Sequence, residues 1–348
     1  MNKIKKALSD AHHVIHKYFL WIVLITYFIA AVLPGFGLWI RDVSFGDLVW
    51  FDKSSVKLSL PLLMLSFLLF DAALGVKTNE LRSSVKYPLL LFVGLVCNIF
   101  IPILLIFILK HFMVFWHNPD EVQNILVGLA IVASMPIAGS STAWSQITDG
   151  NLALSLGLVV FSTILSPFTT PLVLHSVGFI ATGDYGEDLH ELASNGTAAF
   201  LMFSIIFPTV FGLFVKFLLG EKRAEAVKPF LKFINVIILI LLMYSNAAIA
   251  LPEAFTKPDP DFLLIIFIIA TSLCIIAFGT GWFITKLMKA GKAEQSSLMF
   301  GLGMNNNGGA LVLASMALKD HPMILIPIIF YNLAQQTIAS VVNMKMFK

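Results

Sequence analysis

Apolar runs of about 20 residues, separated by short polar breaks, fill the chain from Tyr18 to Asn343, and that length carries a helix across a hydrocarbon core. They predict about ten spans, near residues 18–38, 56–76, 87–110, 125–147, 151–176, 197–219, 230–251, 262–286, 295–318 and 322–343. Two of these are interrupted by polar and helix-breaking residues. In the fourth the break is Pro136-Ile137-Ala138-Gly139-Ser140-Ser141-Thr142; in the ninth it is Gly301-Leu302-Gly303-Met304-Asn305-Asn306-Asn307-Gly308-Gly309. Lipid tolerates unwound backbone only where protein or a protected cavity surrounds it, so paired breaks point to a transporter binding site.

The distribution of Lys and Arg orients the spans. With the N-terminus inside, about three quarters of the 23 basic residues fall in cytoplasmic loops, which predicts that both termini are cytoplasmic in an inner membrane. The acidic stretch from Ala181 to Gly196 then lies outside, as a loop with five spans on either side. Five per half inverts the second half relative to the first. The fold expected is therefore an all-α polytopic membrane protein made of two inverted five-helix repeats, residues 18–176 and 197–343, in one transporter unit of residues 1–348. The interrupted spans are helices 4 and 9, at equivalent places in the two repeats, and they are expected to be discontinuous and to cross.

Composition removes several other readings. With 58% hydrophobic residues, 12% charged and a mean hydropathy of +0.89, the chain lies far from the roughly 25% charged residues of soluble domains. A formal charge of +3 gives no reason to expect a nucleic-acid partner, and the partners expected are the bilayer and a small solute, with a monomer as the folding unit. The two cysteines, Cys97 and Cys274, lie in apolar segments and read as small core residues rather than as a disulfide framework. No signal-peptide cleavage site follows the first apolar run, which is kept as a helix ended by Pro34-Gly35. His12, His13 and His16 are expected on a short interfacial helix.

The breaks carry the candidate chemistry. Pro136 removes a backbone donor and Gly139 relaxes the chain, so carbonyls are freed just before Ser140, Ser141 and Thr142, whose hydroxyls can cap the resumed helix or coordinate a cation. Asparagine is costly in a bilayer unless it faces protein, water or ligand, and the ninth span has three in a row. If both helices cross near the midplane, their resumed halves aim positive dipole ends at an anion, while freed oxygens suit a sodium ion. The competing reading is that Ser and Asn merely join helices and Gly permits close approach.

These residues resemble the bile acid:sodium symporter family, which includes bacterial homologues of the ileal bile acid transporter. The similar stretches are Gly139-Ser140-Ser141-Thr142-Ala143, Asp149-Gly150-Asn151-Leu152-Ala153-Leu154-Ser155, Ser162-Thr163 with Ser166-Pro167, and Gly303-Met304-Asn305-Asn306-Asn307-Gly308. The resemblance implies a panel domain from helices 1, 2, 6 and 7 and a core domain from helices 3–5 and 8–10, with uptake of an organic anion coupled to sodium. By matching position, one sodium site would use Ser141, Thr142 and Ser155. A second would use Asn305, the carbonyls of Leu302 and Met304, and Asn98. Gly139, Ser140, Asn306, Asn307, Gly308 and, in the panel, Asn246 are the expected anion contacts.

The sequence departs from the family where its bridging glutamate would stand, because Gly301 occupies that position, and Val159 replaces a threonine. Two neighbouring cations would then lack countercharge, which favours one sodium over two and leaves proton-coupled or uncoupled transport as alternatives. Asp71 is the carboxylate placed to compensate, the competing reading being that it lies toward the cytoplasmic end of the second span and simply reaches the interface. Asp149 is expected to cap the helix that follows it. Asn332, Gln335 and Gln336 share one face of the tenth span, as packing or as cavity lining. His175 reads as an isolated interfacial residue, and no Arg or Lys is expected inside a span to meet the anion. Asn195-Gly196-Thr197 matches a glycosylation triplet. No His-Glu or Ser-Lys pairing suggests an intramembrane enzyme and no phosphate-cradling loop suggests an ATP-driven pump. An ion channel or a membrane sensor is the alternative of another class.

Overall fold

The computed structural model describes residues 19–49 and 55–347, and the expected interfacial helix with His12, His13 and His16 lies outside the described residues. Contacts divide the chain into two compact units. One contains the described residues up to Val76 together with Ala199–Pro258, and the other contains Lys77–Ala198 and Asp259–Lys348.

The first unit starts with α1 (Phe19–Val32) and α2 (Gly35–Asp42), which meet at 90°. The first helix ends before Pro34-Gly35 as expected, because Pro34 interrupts the helical ladder, and the remainder of the span expected over 18–38 turns away in α2. The carbonyl of Leu33, left without a helical donor by the break, accepts from the Tyr244 hydroxyl. A two-stranded antiparallel hairpin follows, β1 (Ser44–Val49) and β2 (Ser55–Ser59). It departs from the all-α expectation and takes up the start of the expected second span.

Helix α3 (Leu60–Leu74) begins at Ser59, whose Oγ accepts from the Leu62 N–H, with a proline in the first turn. A break after it leads to α4 (Thr78–Ser84), which belongs to the second unit. After a π-helical turn at Met202–Ile206, the long α11 (Phe207–Thr256) completes the first unit. Gly220 has φ 72° and ψ 163°, so α11 is two helices joined at a break that a side chain would strain. Its first half lies directly on α3, where a Cβ at Gly212 would come within 2.5 Å of the Phe70 carbonyl oxygen.

The second unit is built from α5 (Pro88–Met113), α6 (Pro119–Ser134), α7 (Ser140–Ile147), α8 (Leu152–Gly178), α9 (Asp184–Glu191), α12 (Pro260–Leu287), α13 (Lys292–Gly303), α14 (Asn307–Ala317) and α15 (Leu325–Val342). A short α10 (Thr197–Leu201) connects it to the first unit. The caps follow the sequence: Asn118 precedes Pro119 and accepts from the Asp120 N–H, and Asp259 precedes Pro260 and accepts from the Phe262 N–H. Asn151, not Asp149, caps α8, accepting from the Leu154 N–H at 3.0 Å. Asp149 instead takes φ 52° in the turn before it.

The stretch expected as an outer loop contains α9 and a π-helical turn at Leu192–Gly196. Thr197 of the glycosylation triplet is buried and donates to the Leu192 carbonyl. His175 is not isolated, since its Nδ1 lies 2.8 Å from Nδ1 of His190.

Among the described residues, six helices are long and apolar enough to cross a membrane, or up to eight if each bent pair counts as one span. Large apolar side chains such as Phe112, Phe168 and Phe217 are exposed along these helices, as expected where the solvent is lipid. Tight packing therefore comes from small residues. A Cβ at Gly281 of α12 would lie 2.6 Å from the Met299 Cα of α13.

Candidate cation site at the crossing of two broken helices

Helix α6 stops at Ser134 and α7 starts at Ser140; α13 stops at Gly303 and α14 starts at Asn307. The two unwound segments meet as a short antiparallel bridge that pairs Ile137 with Asn305. Ala138 N–H donates to Met304 O at 2.9 Å, and Asn306 N–H donates to Pro136 O at 3.0 Å. Proline suits position 136, where only its carbonyl is needed. The outward groups are met by side chains. Ile137 N–H donates to Ser162 Oγ at 3.1 Å. Asn305 N–H donates to Gln335 Oε1 at 2.9 Å, and Gln335 Nε2 donates back to Asn305 O at 3.3 Å.

The carbonyls that end α6 are claimed in the same way. Thr170 Oγ1 donates to Ser134 O at 2.6 Å, and Asn305 Nδ2 donates to Val132 O at 3.0 Å. The buried end of α6 is thus closed by α8, by the crossing segment and by the Met135 N–H, which also donates to Val132 O at 3.2 Å.

Three of the unpaired buried side-chain oxygens lie at the crossing, and Asn235 Oδ1 and Asn343 Oδ1 are others elsewhere among the described residues. Ser141 Oγ, Asn305 Oδ1 and Asn307 Oδ1 are buried without a hydrogen-bond partner. All three are neutral oxygens on residues of the crossing, and buried polar atoms normally have a partner. Beside Ser141 lies a cluster of hydroxyls: Ser155 Oγ donates to Thr142 Oγ1 at 3.1 Å, and Ser145 Oγ lies 3.2 Å from Ser155 Oγ while donating to the Ser141 carbonyl at 2.9 Å. Ser145 does not stand out in the sequence, although its spacing of four from Ser141 places it one turn on, along the same face.

The expected cap by Ser140, Ser141 or Thr142 is not formed. Gly139 is the N-cap of α7 and makes no side-chain bond, so the Ser141 hydroxyl is left for another use. Gly139 and Ser140 are exposed, and Asn306 and Gly308 are half-buried. Asn306 Oδ1 caps α14 by accepting from the Gly309 N–H at 3.1 Å.

A cleft with about 460 Å³ of empty volume is lined by Asn98, Leu302 and Asn305 together with Cys97, Thr280 and Tyr331. Three residues of the expected second set therefore line one cleft. Asn98 also lines a neighbouring cavity that reaches Ser134, Pro136 and Ser162. The carbonyl of Met304 is committed to Ala138, with one lone pair left over.

Asn246, grouped with these residues in the sequence, is in the other unit. It is fully buried, and its Oδ1 accepts from Arg41 Nη1 at 2.9 Å. Arg41 and the buried Lys216 correct the expectation of no basic residue within the apolar helices. Asp71 is buried in α3 of that same unit.

The profile of the Sodium Bile acid symporter family matches residues 62–253, more than half of the chain. The chain belongs to this family. Two relatives come from Bacillus subtilis (strain 168). One, the uncharacterized protein YbaS, is 25% identical over 279 residues, covering 79% of this chain and 84% of the relative. The other, the uncharacterized sodium-dependent transporter YocS, is 24% identical over 289 residues, covering 80% and 81%. Membership makes this a multi-pass membrane protein of a transporter family.

Proposed function

We propose that the protein is a secondary transporter that couples the movement of a small organic anion across the inner membrane to one sodium ion. The observation that carries the reading is the set of three buried oxygens without a donor, Ser141 Oγ, Asn305 Oδ1 and Asn307 Oδ1, at the crossing. Each unsatisfied buried polar group costs about 1–3 kcal/mol, a cost that a bound cation removes. The name of YocS, a sodium-dependent transporter, and that of the family, a sodium symporter family, support the same ion.

In this reading sodium draws on the two expected sets, Ser141, Thr142 and Ser155, and Asn305, Asn98 with the carbonyls of Leu302 and Met304, and also on Asn307, which moves from the expected anion contacts to the cation side because its Oδ1 is buried without a donor. These donors are neutral, which suits a single monovalent ion better than two. The ends of α6 and α13 bring carbonyl poles to the crossing, while the starts of α7 and α14 bring amide poles. Gly139, Ser140, Asn306 and Gly308 are the more accessible residues there, and they present the anion contacts.

The membrane arrangement proposed with it has ten spans: the six long helices, the two bent pairs, and the two broken pairs counted as one each. Residues 18–176 and 197–343 then form inverted repeats, with both termini cytoplasmic. Helices 1, 2, 6 and 7 form the panel and helices 3–5 and 8–10 the core, in a monomer.

The test is the melting temperature of the purified protein in sodium against potassium or choline at fixed ionic strength. A ligand that binds only the folded state raises it, so a saturable shift specific to sodium is expected, and carboxylates screened in sodium should add to it. Equal melting in all three salts would remove sodium from the mechanism.

A further inference from the structure

Gln335 ties together the polarity of the whole crossing. Its Oε1 accepts from the Asn305 backbone N–H at 2.9 Å and from Asn307 Nδ2 at 3.1 Å, and its Nε2 donates to the Asn305 carbonyl at 3.3 Å. A backbone N–H can only donate and a carbonyl can only accept, so the Asn305 peptide fixes which end of the Gln335 amide is oxygen. That oxygen in turn demands a donor from Asn307. Asn307 must therefore present Nδ2 to Gln335 and turn Oδ1 away, where it is buried with no donor. Its weaker contact, Nδ2 to Asn332 Oδ1 at 3.5 Å, has the same sense.

We infer that Gln335 is a positioning residue of the cation site: it transmits the donor and acceptor sense of the Asn305 peptide to Asn307, so that an oxygen rather than an amino group faces the ion. The inference rests on the sodium reading for its purpose, although its geometry is independent of it. Gln335 is 2% exposed and sits on α15, which makes that helix part of the site without supplying a ligand. A half-turn of the Asn307 amide would point N–H groups at the cation and oppose two oxygens across the Gln335 contact.

The experiment is a cycle of N307D in three backgrounds, with Gln, Met or Glu at position 335, melted first in potassium. The carboxylate introduced by N307D sets an oxygen against Gln335 Oε1, so this substitution should lower the melting temperature in the parent background, less with Q335M and most with Q335E. Equal penalties in the three backgrounds would overturn the orientation argument. If Q335M does not fold, the Gln and Glu backgrounds alone decide it. Melting in sodium then reads the function. Q335M should weaken the sodium response about tenfold or more, as loss of an outer-shell partner does. Q335E, which still accepts from both donors, should keep most of it. N307D should restore the response in Q335M, because a carboxylate offers oxygen whichever way it turns. Failure of that rescue, with Q335E as impaired as Q335M, would assign Gln335 a purely structural role. A parent protein with no sodium response defeats the sodium reading instead, and the potassium cycle still decides the orientation.

Discussion

Leu158 fills the space into which a side chain at Gly301 would grow, since a Cβ at Gly301 would lie 2.9 Å from Leu158 Cδ1. Both residues are buried, and Leu158 packs in an apolar cluster with Leu154, Leu298 and Leu302. The position at which the family resemblance would place a glutamate thus borders the hydrocarbon of Leu158. The single contact is the far end of a flexible side chain, so a larger residue can be admitted by rotating it.

Gly301→Glu should therefore fold, and more readily with Leu158→Ala beside it. In potassium the added carboxylate is buried near apolar groups and should lower the melting temperature. In sodium the same charge lies near the neutral oxygens of the crossing, and the sodium-specific shift should exceed that of the parent. The check is melting of parent and variants in the two salts. An unchanged sodium shift in both variants would mean that position 301 does not communicate with the cation.

Ser141→Ala separates a binding oxygen from a packing one by the sign of its effect. The Ser141 hydroxyl is buried without a partner, so its removal should be neutral or stabilising in potassium, within the roughly 1–3 kcal/mol that an unsatisfied group costs. The sodium increment should shrink in the same variant. If Ser141→Ala destabilises equally in both salts, the hydroxyl is structural glue.

The two breaks are legible in the sequence because local chemistry makes them: Pro136 cannot donate, and glycines flank three asparagines that a bilayer would otherwise reject. The partners at the breaks are less legible. Gln335 can be placed on a polar face by its spacing, but which of its amide atoms meets Asn305 depends on a peptide 30 residues away. The 90° bend at Pro34 is visible only as the end of a helix, because a proline signals a break without saying where the chain goes next. The paired strands Ser44–Val49 and Ser55–Ser59 give no clear signal because they are short and mixed in polarity. Arg41 and Asn246 are 205 positions apart, and no local pattern announces such a pair.

That pair gives a third prediction. Asn246, itself fully buried, accepts at Oδ1 from the half-buried Arg41 guanidinium at 2.9 Å. Asn246→Leu keeps the approximate volume but removes the acceptor. It should destabilise the protein by about 1.5–3 kcal/mol, the range for a hydrogen bond to a charged group. Asn246→Asp, which keeps an acceptor and adds a countercharge, should be tolerated better. Melting of the two variants decides it, and equal losses would show that the Arg41 contact contributes little.

The last prediction concerns pH and a group beyond the ends of the long helices. Asp188, on α9, lies with Oδ2 3.5 Å from His321 Nε2, and His321 stacks on Tyr185 with ring centroids 4.1 Å apart. Burial raises the Asp188 pKa above the ordinary carboxylate value and outweighs the opposing pull of His321, while Glu191, Asp184 and Asp320 add to the rise. The folded protein then holds this proton more tightly than the unfolded chain does. Stability from Asp188 is complete below the ordinary carboxylate range and is lost as pH rises through the raised folded value. Asp188→Asn mimics the protonated form, so it should raise the melting temperature near neutral pH, and the gain should fade in acid. Melting curves of parent and variant across the acid-to-neutral range test this. A variant less stable than the parent at neutral pH would show that the His321 pair outweighs burial. Its deficit would then be expected to vanish once Asp188 is protonated in the parent as well.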